Sequence, residues 1–209
     1  WRLIGFFREK DYVVRADKAF VVTAFGALSM LLGFVMIYAQ AGSFDLATLK
    51  GYYATHALSG WAVGLVLLGI LSKSATLPLH TWLPDAGVAP STITSLLHAA
   101  ILVKIGLYAF ARLFCHGMVI DPQAQVWLLA FAMMSAFVSA SAALHETNIK
   151  RLLAYSTVSQ IGYTFLGLIV FTHYGYIGAL LYIMAHGFAK GGLFLCAGGF
   201  LDDGTVAYT

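Results

Sequence analysis

The chain has 209 residues, of which 60% are apolar and only 10% are charged. A soluble domain of this size usually carries about 25% charged residues, so the composition excludes most soluble classes. The formal net charge of +3 comes from 12 basic and 9 acidic residues. They are too few and too scattered to form a nucleic-acid-binding patch. The composition therefore predicts that most of the surface faces lipid.

Long uncharged runs follow one another along the chain. They cover 19–44, 51–72 and 122–145; the stretch 86–113 is interrupted only by Lys104 and Arg112, and 152–201 only by Lys190. A bilayer core needs about 20 apolar residues per helix, and runs that are apolar on every face favour helices over barrel strands. We predict an all-α transmembrane bundle that forms a single domain over residues 1–209, with six spans at 19–40, 57–79, 90–113, 123–144, 151–172 and 176–200.

The basic residues outside the predicted spans are distributed unevenly between the two faces of the membrane. One face collects Arg8, Lys10, Arg15, Lys18, Lys150 and Arg151, and the other has only Lys50 and Arg112. The positive-inside rule therefore predicts that loops 8–18 and 145–151 are cytoplasmic. The start at Trp1 and the end soon after Asp202 and Asp203 suggest a piece of a longer multi-pass chain.

Five ionisable residues lie where a bilayer makes them costly. They are Lys73, His98, Lys104, His186 and Lys190. A lysine at the centre of a spanning helix costs about 2.5–3.5 kcal/mol, so such residues are functional by default. The alternative remains open that a lysine near a span end reaches the headgroups, or that a buried histidine only bonds a carbonyl.

Pro78 predicts a break in the second span. Its ring clashes with the carbonyl of Ser74, so the helix should open just after Lys73. Discontinuous helices in transporters admit water at ion sites, which makes Lys73 a candidate proton carrier. His186 and Lys190 are spaced i, i+4 and share a helix face. His98 and Lys104 are six residues apart and should face different directions unless their helix is distorted.

The sequence contains none of the metal-binding, redox or phosphate-binding motifs that are common in soluble enzymes. Cys115 and Cys196 lie in no CxxC pair and no zinc-ligand spacing, and no glycine-rich phosphate loop follows a strand. We expect no metal site, no nucleotide chemistry and no prosthetic group in this chain.

Several motifs together resemble a known family. They are GILSKSATLPLHTWLPDA at 69–86, SLLHAA at 95–100, VKIGLY at 103–108, NIKRLLAYSTVSQIGY at 148–163 and AHGFAK at 185–190. This combination is similar to the antiporter-like subunits of respiratory complex I, a family that also includes Mrp sodium/proton antiporter subunits and the membrane arms of energy-converting hydrogenases. The resemblance covers nearly the whole chain.

The resemblance implies a fold of roughly fourteen helices with two inverted five-helix repeats, of which this chain holds the end of one and the start of the next. It makes Lys73 the central lysine of a broken helix, which the family pairs with a glutamate outside this chain. His98 matches a proton-relay histidine, so the resemblance implies transfer from Lys73 to His98 and onward to His186 and Lys190. Lys104 matches a lysine found in some branches. His186 and Lys190 match a connecting pair on the other broken helix.

The function implied is translocation of H+, or exchange of Na+ for H+, by a subunit with no reaction of its own. Its partners would be other membrane subunits, with iron–sulfur redox subunits as candidates, in a prokaryotic inner membrane or an equivalent energy-transducing membrane. Two alternatives stay open. The same fold could serve an inorganic-carbon uptake complex, or His98 and His186 could ligate a haem in an electron-transfer anchor.

Overall fold

A computed structural model describes residues 2–6, 9–56, 59–118 and 120–202. In chain order the elements are α1 (Lys10–Ala41), α2 (Leu46–Tyr53), α3 (Gly60–Lys73), α4 (Trp82–Asp85), a 3-10 turn (Ala86–Val88), α5 (Ser91–Thr94), a π-helical stretch (Ser95–Ala100), α6 (Lys104–Phe110), a second π-helical stretch (Ala111–Cys115), α7 (Pro122–His145), α8 (Ile149–Ile169) and α9 (His173–Asp202). Within the described residues, five helical segments are long and apolar enough to cross a membrane. The predicted all-helical membrane bundle is confirmed, with five long spans instead of six.

The first spanning helix is longer than its apolar run. α1 covers Lys10–Ala41, so the predicted loop 8–18 is helical from Lys10 onward, and Arg8 lies outside the described residues. Its 32 residues rise about 48 Å, more than the hydrocarbon thickness of about 30 Å. Charged residues end the lipid-facing part of a helix without ending its hydrogen bonding, so hydropathy located only the part in lipid.

The second predicted span is the one that falls short. It was expected at 57–79; residues 57 and 58 lie outside the described residues, and α3 covers only Gly60–Lys73. Its 14 residues rise about 21 Å, too little to cross a bilayer. Residues 74–81 continue without regular helix into α4. The proline predicted to interrupt this span therefore also removes it from the set of full-length helices.

The last three spans lie close to their predicted positions. α7 and α8 begin after side-chain caps, since Asp121 accepts hydrogen bonds from the amides of residues 123 and 124, and Asn148 from those of residues 150 and 151. Such caps satisfy amides that have no partner within the helix. The loop predicted at 145–151 shrinks to residues 146–148 between the two helices. α9 begins at His173, three residues before the predicted start at 176.

The second interrupted helix is not the one that was expected. The resemblance placed a break in the helix of His186 and Lys190, but α9 is continuous over its 30 residues. It contains glycines and no proline, and glycine keeps the amide that the helical ladder needs. The interruption lies instead between Ser91 and Cys115, where π-helical turns and the non-helical residues 101–103 alternate with α-helix.

Small residues hold the helices close together. A Cβ atom on Gly26 of α1 would lie 2.3 Å from Ser72 Cβ of α3, and one on Gly33 would lie 2.7 Å from a methyl group of Val66. As the chain position rises on α1 it falls on α3, so the two helices are antiparallel. Likewise, Gly162 of α8 packs directly on the α7 backbone at residues 132 and 136. Close backbone approach of this kind suits helix association in lipid.

Candidate functional site

The α3 helix ends at Lys73, as the position of Pro78 predicts. The carbonyls that the break would leave open find new partners: Leu71 O accepts from Thr76 N at 3.1 Å, and Ser72 O accepts from the indole Nε1 of Trp82 at 3.0 Å. Each bond replaces an intrahelical one, which apolar surroundings require. Specific hydrogen bonds therefore stabilise the break, and Lys73 is the last helical residue before it.

Lys73 lies well inside the bundle. Its neighbour Ser72 faces Gly26 of α1, which is eight residues and about 12 Å along the helix axis from Lys18. The Lys73 side chain is half-buried, and within the described residues it has neither a hydrogen bond nor an ion pair. An ammonium at this depth needs a polar neighbour or water.

Lys104 approaches the break from the next helix. Gly106, two residues further along α6, packs on Ser74, since a Cβ there would lie 2.0 Å from Ser74 Oγ. The Lys104 side chain is only 8% exposed, and its Nζ has no hydrogen-bond partner within the described residues. A Cβ on Gly187 would lie 3.1 Å from this Nζ, so the ammonium rests on the backbone of α9. Lys104 thus lies between the α3 break and α9.

His186 and Lys190 share a face of α9, as predicted. Lys104 and Lys190 both lie within electrostatic reach of His186. The His186 side chain is buried, and its Nε2 has no hydrogen-bond partner within the described part of the chain. Lys190 differs, because its Nζ donates to Leu153 O at 3.3 Å and to the hydroxyl of Ser156, both on α8.

His98 is completely buried beside this group. Its ring meets Phe194 of α9 edge-on at a centroid distance of 5.1 Å, and it lies within electrostatic reach of Lys190. Neither ring nitrogen has a hydrogen-bond partner among the described residues. The sequence predicted different directions for His98 and Lys104 unless their helix is distorted. The segment 95–103 is distorted, and both side chains contact α9, His98 at Phe194 and Lys104 at Gly187.

The structure thus brings together four of the five predicted site residues around α9. Lys104, His186, Lys190 and His98 form this group. Lys73 lies outside it, at the end of α3, where the next residue, Ser74, packs on Gly106 of α6. Lys104, rather than His98, is the group member nearest in chain position to the contact with the break. An i, i+6 spacing cannot reveal this arrangement when the intervening turns are not α-helical.

An ion network at one end of the bundle was not predicted from the sequence. Asp85 Oδ2 contacts Lys18 Nζ at 2.6 Å, and Asp85 Oδ1 contacts Arg151 Nη1 at 3.2 Å. Arg151 also pairs with Glu146 at 3.2 Å. Both partners of Asp85 lie more than sixty residues away in the chain, so these two pairs leave no spacing signal in the sequence. The network does place Lys18 and Arg151 at the same end of the bundle, as their grouping on one membrane face requires.

Lys150 was predicted in a loop and is instead buried at the start of α8. Its Nζ donates to Ala89 O at 3.2 Å, in the segment that precedes α5. Its neighbour Asn148 caps the helix. A basic residue in a predicted loop therefore contributes to helix packing, and a long aliphatic stem makes this possible.

Fold and site together define a multi-pass helical membrane protein with buried lysine and histidine side chains grouped between its helices. The family described as NADH:quinone oxidoreductase/Mrp antiporter, transmembrane, matches residues 1–208, and the chain belongs to this family. The family expected from the sequence motifs is confirmed.

Similar proteins come from several complexes. The chain is 38% identical to NAD(P)H-quinone oxidoreductase chain 5 of Synechocystis sp., over 99% of this chain and 31% of that protein. It is 36% identical to NADH-quinone oxidoreductase subunit L of Escherichia coli K12, over 94% of this chain and 32% of that protein. In the structure of the Mrp complex from Dietzia sp. DQ12-45-1b, one subunit superposes with a TM-score of 0.82 at 26% identity, over 91% of this chain and 36% of that subunit. The chain spans about a third of the length of these proteins.

Proposed function

We propose that this chain translocates protons, or exchanges Na+ for H+, along the side chains of Lys73, Lys104, His186 and Lys190, with His98 beside the last. Family membership supports ion translocation as the activity. The grouping of ionisable side chains inside an apolar bundle supports these residues as the carriers.

One observation carries the proposal. The Lys104 ammonium rests on α9 at Gly187, the residue after the buried His186, and neither Lys104 Nζ nor His186 Nε2 has a hydrogen-bond partner within the described residues. Buried polar groups are nearly always bonded, and an unpaired one costs about 1–3 kcal/mol or more when charged. The two groups therefore need a further partner, and an ordered water or a direct contact between them would provide it and let a proton pass from one to the other.

The contacts favour one order of transfer. Lys73 stands at the helix break, which touches α6 beside Lys104. Lys104 rests on α9 next to His186, and His186 lies one turn before Lys190. We propose the order Lys73, Lys104, His186, Lys190. This differs from the order expected from the sequence, which placed His98 directly after Lys73.

A change of charge near Lys73 would drive the transfer. Lys73 has no acidic partner within the described residues. A carboxylate supplied from elsewhere in the assembly would stabilise the ammonium form, and its withdrawal would favour release of the proton. The proposal gives this chain the moving protons and leaves the energy source to other subunits.

The proposed setting is a multisubunit complex of the complex I or Mrp kind in an energy-transducing membrane. The end of the bundle that carries Lys18 and Arg151 would face the cytoplasm, because basic residues collect there. The chain would belong to an antiporter-like fold of inverted repeats, with iron–sulfur subunits as partners in a redox-driven complex. It would need no prosthetic group of its own.

The direct test replaces Lys73 by alanine in the full-length subunit within its complex, reconstituted in liposomes. Lys73→Ala should abolish proton translocation because the carrier at the break is lost. Lys50→Ala is the matched control, since it removes an exposed lysine of α2 outside the long spans. The measurement is the initial rate of pH change inside the liposomes. Translocation at the rate of the unmodified complex in Lys73→Ala would refute the role of Lys73.

A further inference from the structure

Side chains hold the segment that follows the break at Lys73 at three points, one of which is the hydrogen bond from Leu77 N to the Ser135 hydroxyl of α7 at 3.3 Å. Near the break, Trp82 Nε1 donates to Ser72 O at 3.0 Å. One turn further along, at the other end of α4, the Asp85 carboxylate contacts Lys18 of α1 and Arg151 of α8. Between Lys73 and α4 the backbone has no regular helix. The position of α4 therefore depends on these side-chain contacts together with the burial of Trp82 and Leu83, since no regular helix joins α4 to α3.

Asp85 bridges elements that are otherwise distant in the chain. Its two oxygens contact different cations, Lys18 at 2.6 Å and Arg151 at 3.2 Å. The side chain of Asp85 is 20% exposed and that of Arg151 is 31% exposed. The pair between Asp85 and Arg151 is therefore screened by salt less than a fully exposed pair, whereas the Lys18 side chain is 41% exposed. A planar guanidinium that contacts two carboxylates also has a restricted geometry.

We propose that Asp85 is a positioning residue for Lys73. By holding α4 between α1 and α8, its carboxylate fixes the segment 74–88, and through the bond between Trp82 and Ser72 it fixes the end of α3 where Lys73 stands. The link to ion transport rests on the proposed function; the effect on the position of the segment does not.

The contacts of Asp85 allow its charge to be removed without changing the shape of its side chain. Replacing Asp85 by asparagine keeps the shape of the side chain and removes its charge. Arg151 keeps its pairing with Glu146, which bonds Nε and Nη2. The substitution therefore releases α4 while the start of α8 retains an ion pair. Glutamate at the same position keeps the charge on a side chain one methylene longer and should restore the contact.

The test measures backbone hydrogen exchange in the full-length subunit within its complex. In Asp85→Asn, amides of residues 76–90 should exchange about 2- to 30-fold faster than in the unmodified complex, the range expected when two partly exposed ion pairs are lost together. Asp85→Glu should restore slow exchange. Asp11→Asn, which removes an exposed carboxylate near the start of α1, is the control and should leave these amides unchanged.

A second pair of variants covers the case in which Asp85→Asn does not assemble. Lys18→Gln removes one partner of Asp85, and Lys10→Gln removes an exposed lysine of the same helix. The rate of amide hydrogen exchange in residues 76–90 should rise in Lys18→Gln and stay unchanged in Lys10→Gln. Unchanged exchange in Asp85→Asn, or in Lys18→Gln where Asp85→Asn does not assemble, would overturn the proposal.

Proton translocation by the same variants separates this proposal from the proposed function. Asp85→Asn should slow translocation and Asp85→Glu should restore it. If Asp85→Asn loosens the segment while Lys73→Ala leaves translocation unchanged, the positioning role stands and the proposed function fails. If Lys73→Ala abolishes translocation while residues 76–90 exchange normally in Asp85→Asn, the positioning role is refuted and the proposed function stands.

Discussion

The close contact between α1 and α3 makes a sharp prediction for Gly69. A Cβ on this glycine would lie 2.5 Å from Met30 Cβ and 2.7 Å from Gly26 O. Both atoms belong to or adjoin the α1 backbone, so neither can rotate away. In Gly69→Ala, α3 must therefore move away from α1 in the turn that precedes Lys73.

The magnitude follows from comparison with a second glycine of the same helix. A Cβ on Gly64 would have no heavy atom of a neighbouring helix within 4 Å in the described structure. Both substitutions gain about 0.8–1.0 kcal/mol of helix propensity, so the difference between them isolates the clash. Overpacking of this kind typically costs about 1–3 kcal/mol. Since 1.4 kcal/mol corresponds to a factor of ten, local opening of α3 should be about 5- to 150-fold more frequent in Gly69→Ala than in Gly64→Ala.

Hydrogen exchange of peptides covering 60–73 measures this opening, in the full-length subunit within its complex. Exchange should accelerate in Gly69→Ala and remain slow in Gly64→Ala. Equal exchange in the two variants would show that α1 and α3 do not touch at Gly69, and the depth assigned to Lys73 would lose its support.

Two further predictions concern single hydrogen-bonding groups. Ser156→Ala removes the hydroxyl that accepts from Lys190, and a hydrogen bond to a charged group contributes about 1.5–3 kcal/mol. The variant complex should therefore melt at a lower temperature and translocate protons more slowly. Ser159→Ala is the control, because Ser159 has no bond to Lys190, and it should have the smaller effect on both measurements. At the start of α2, hydrogen bonds from the amide and then the hydroxyl of Thr48 hold the pKa of Asp45 below its usual range. This stabilisation is present above the usual carboxyl pKa of about 3.9 and is lost as the pH falls through the lower folded-state value. Exchange of the α2 amides should therefore accelerate in acid relative to Asp45→Asn, whose cap cannot titrate, and parallel pH dependence in the two proteins would contradict the assignment.

The class of fold could be predicted from the sequence because its cause is local. Uncharged runs of about 20 residues specify spanning helices whatever they pack against. For the same reason, Pro78 predicted where α3 ends, since the clash of its ring involves only the preceding turn. The start of α1 at Lys10 was not predicted, because hydropathy reports burial in lipid and not helical hydrogen bonding.

For the candidate site, the residue types could be predicted from the sequence and the contacts between them could not. Its residue types were visible in the sequence, because Lys73, Lys104, His186 and Lys190 are costly in lipid wherever the helices lie. Their neighbours were not visible. Lys104 lies beside His186 only because non-α turns redirect its helix, and Lys190 bonds α8 across a helix interface.

The sequence by itself determined that this protein is a helical membrane bundle with ionisable groups at depth and a broken helix at Lys73, since hydropathy and the geometry of proline act within a few residues. Only the tertiary structure decided which of those groups meet and that Asp85 joins α1 to α8. Contacts between residues more than sixty positions apart depend on helix packing, which no local pattern encodes.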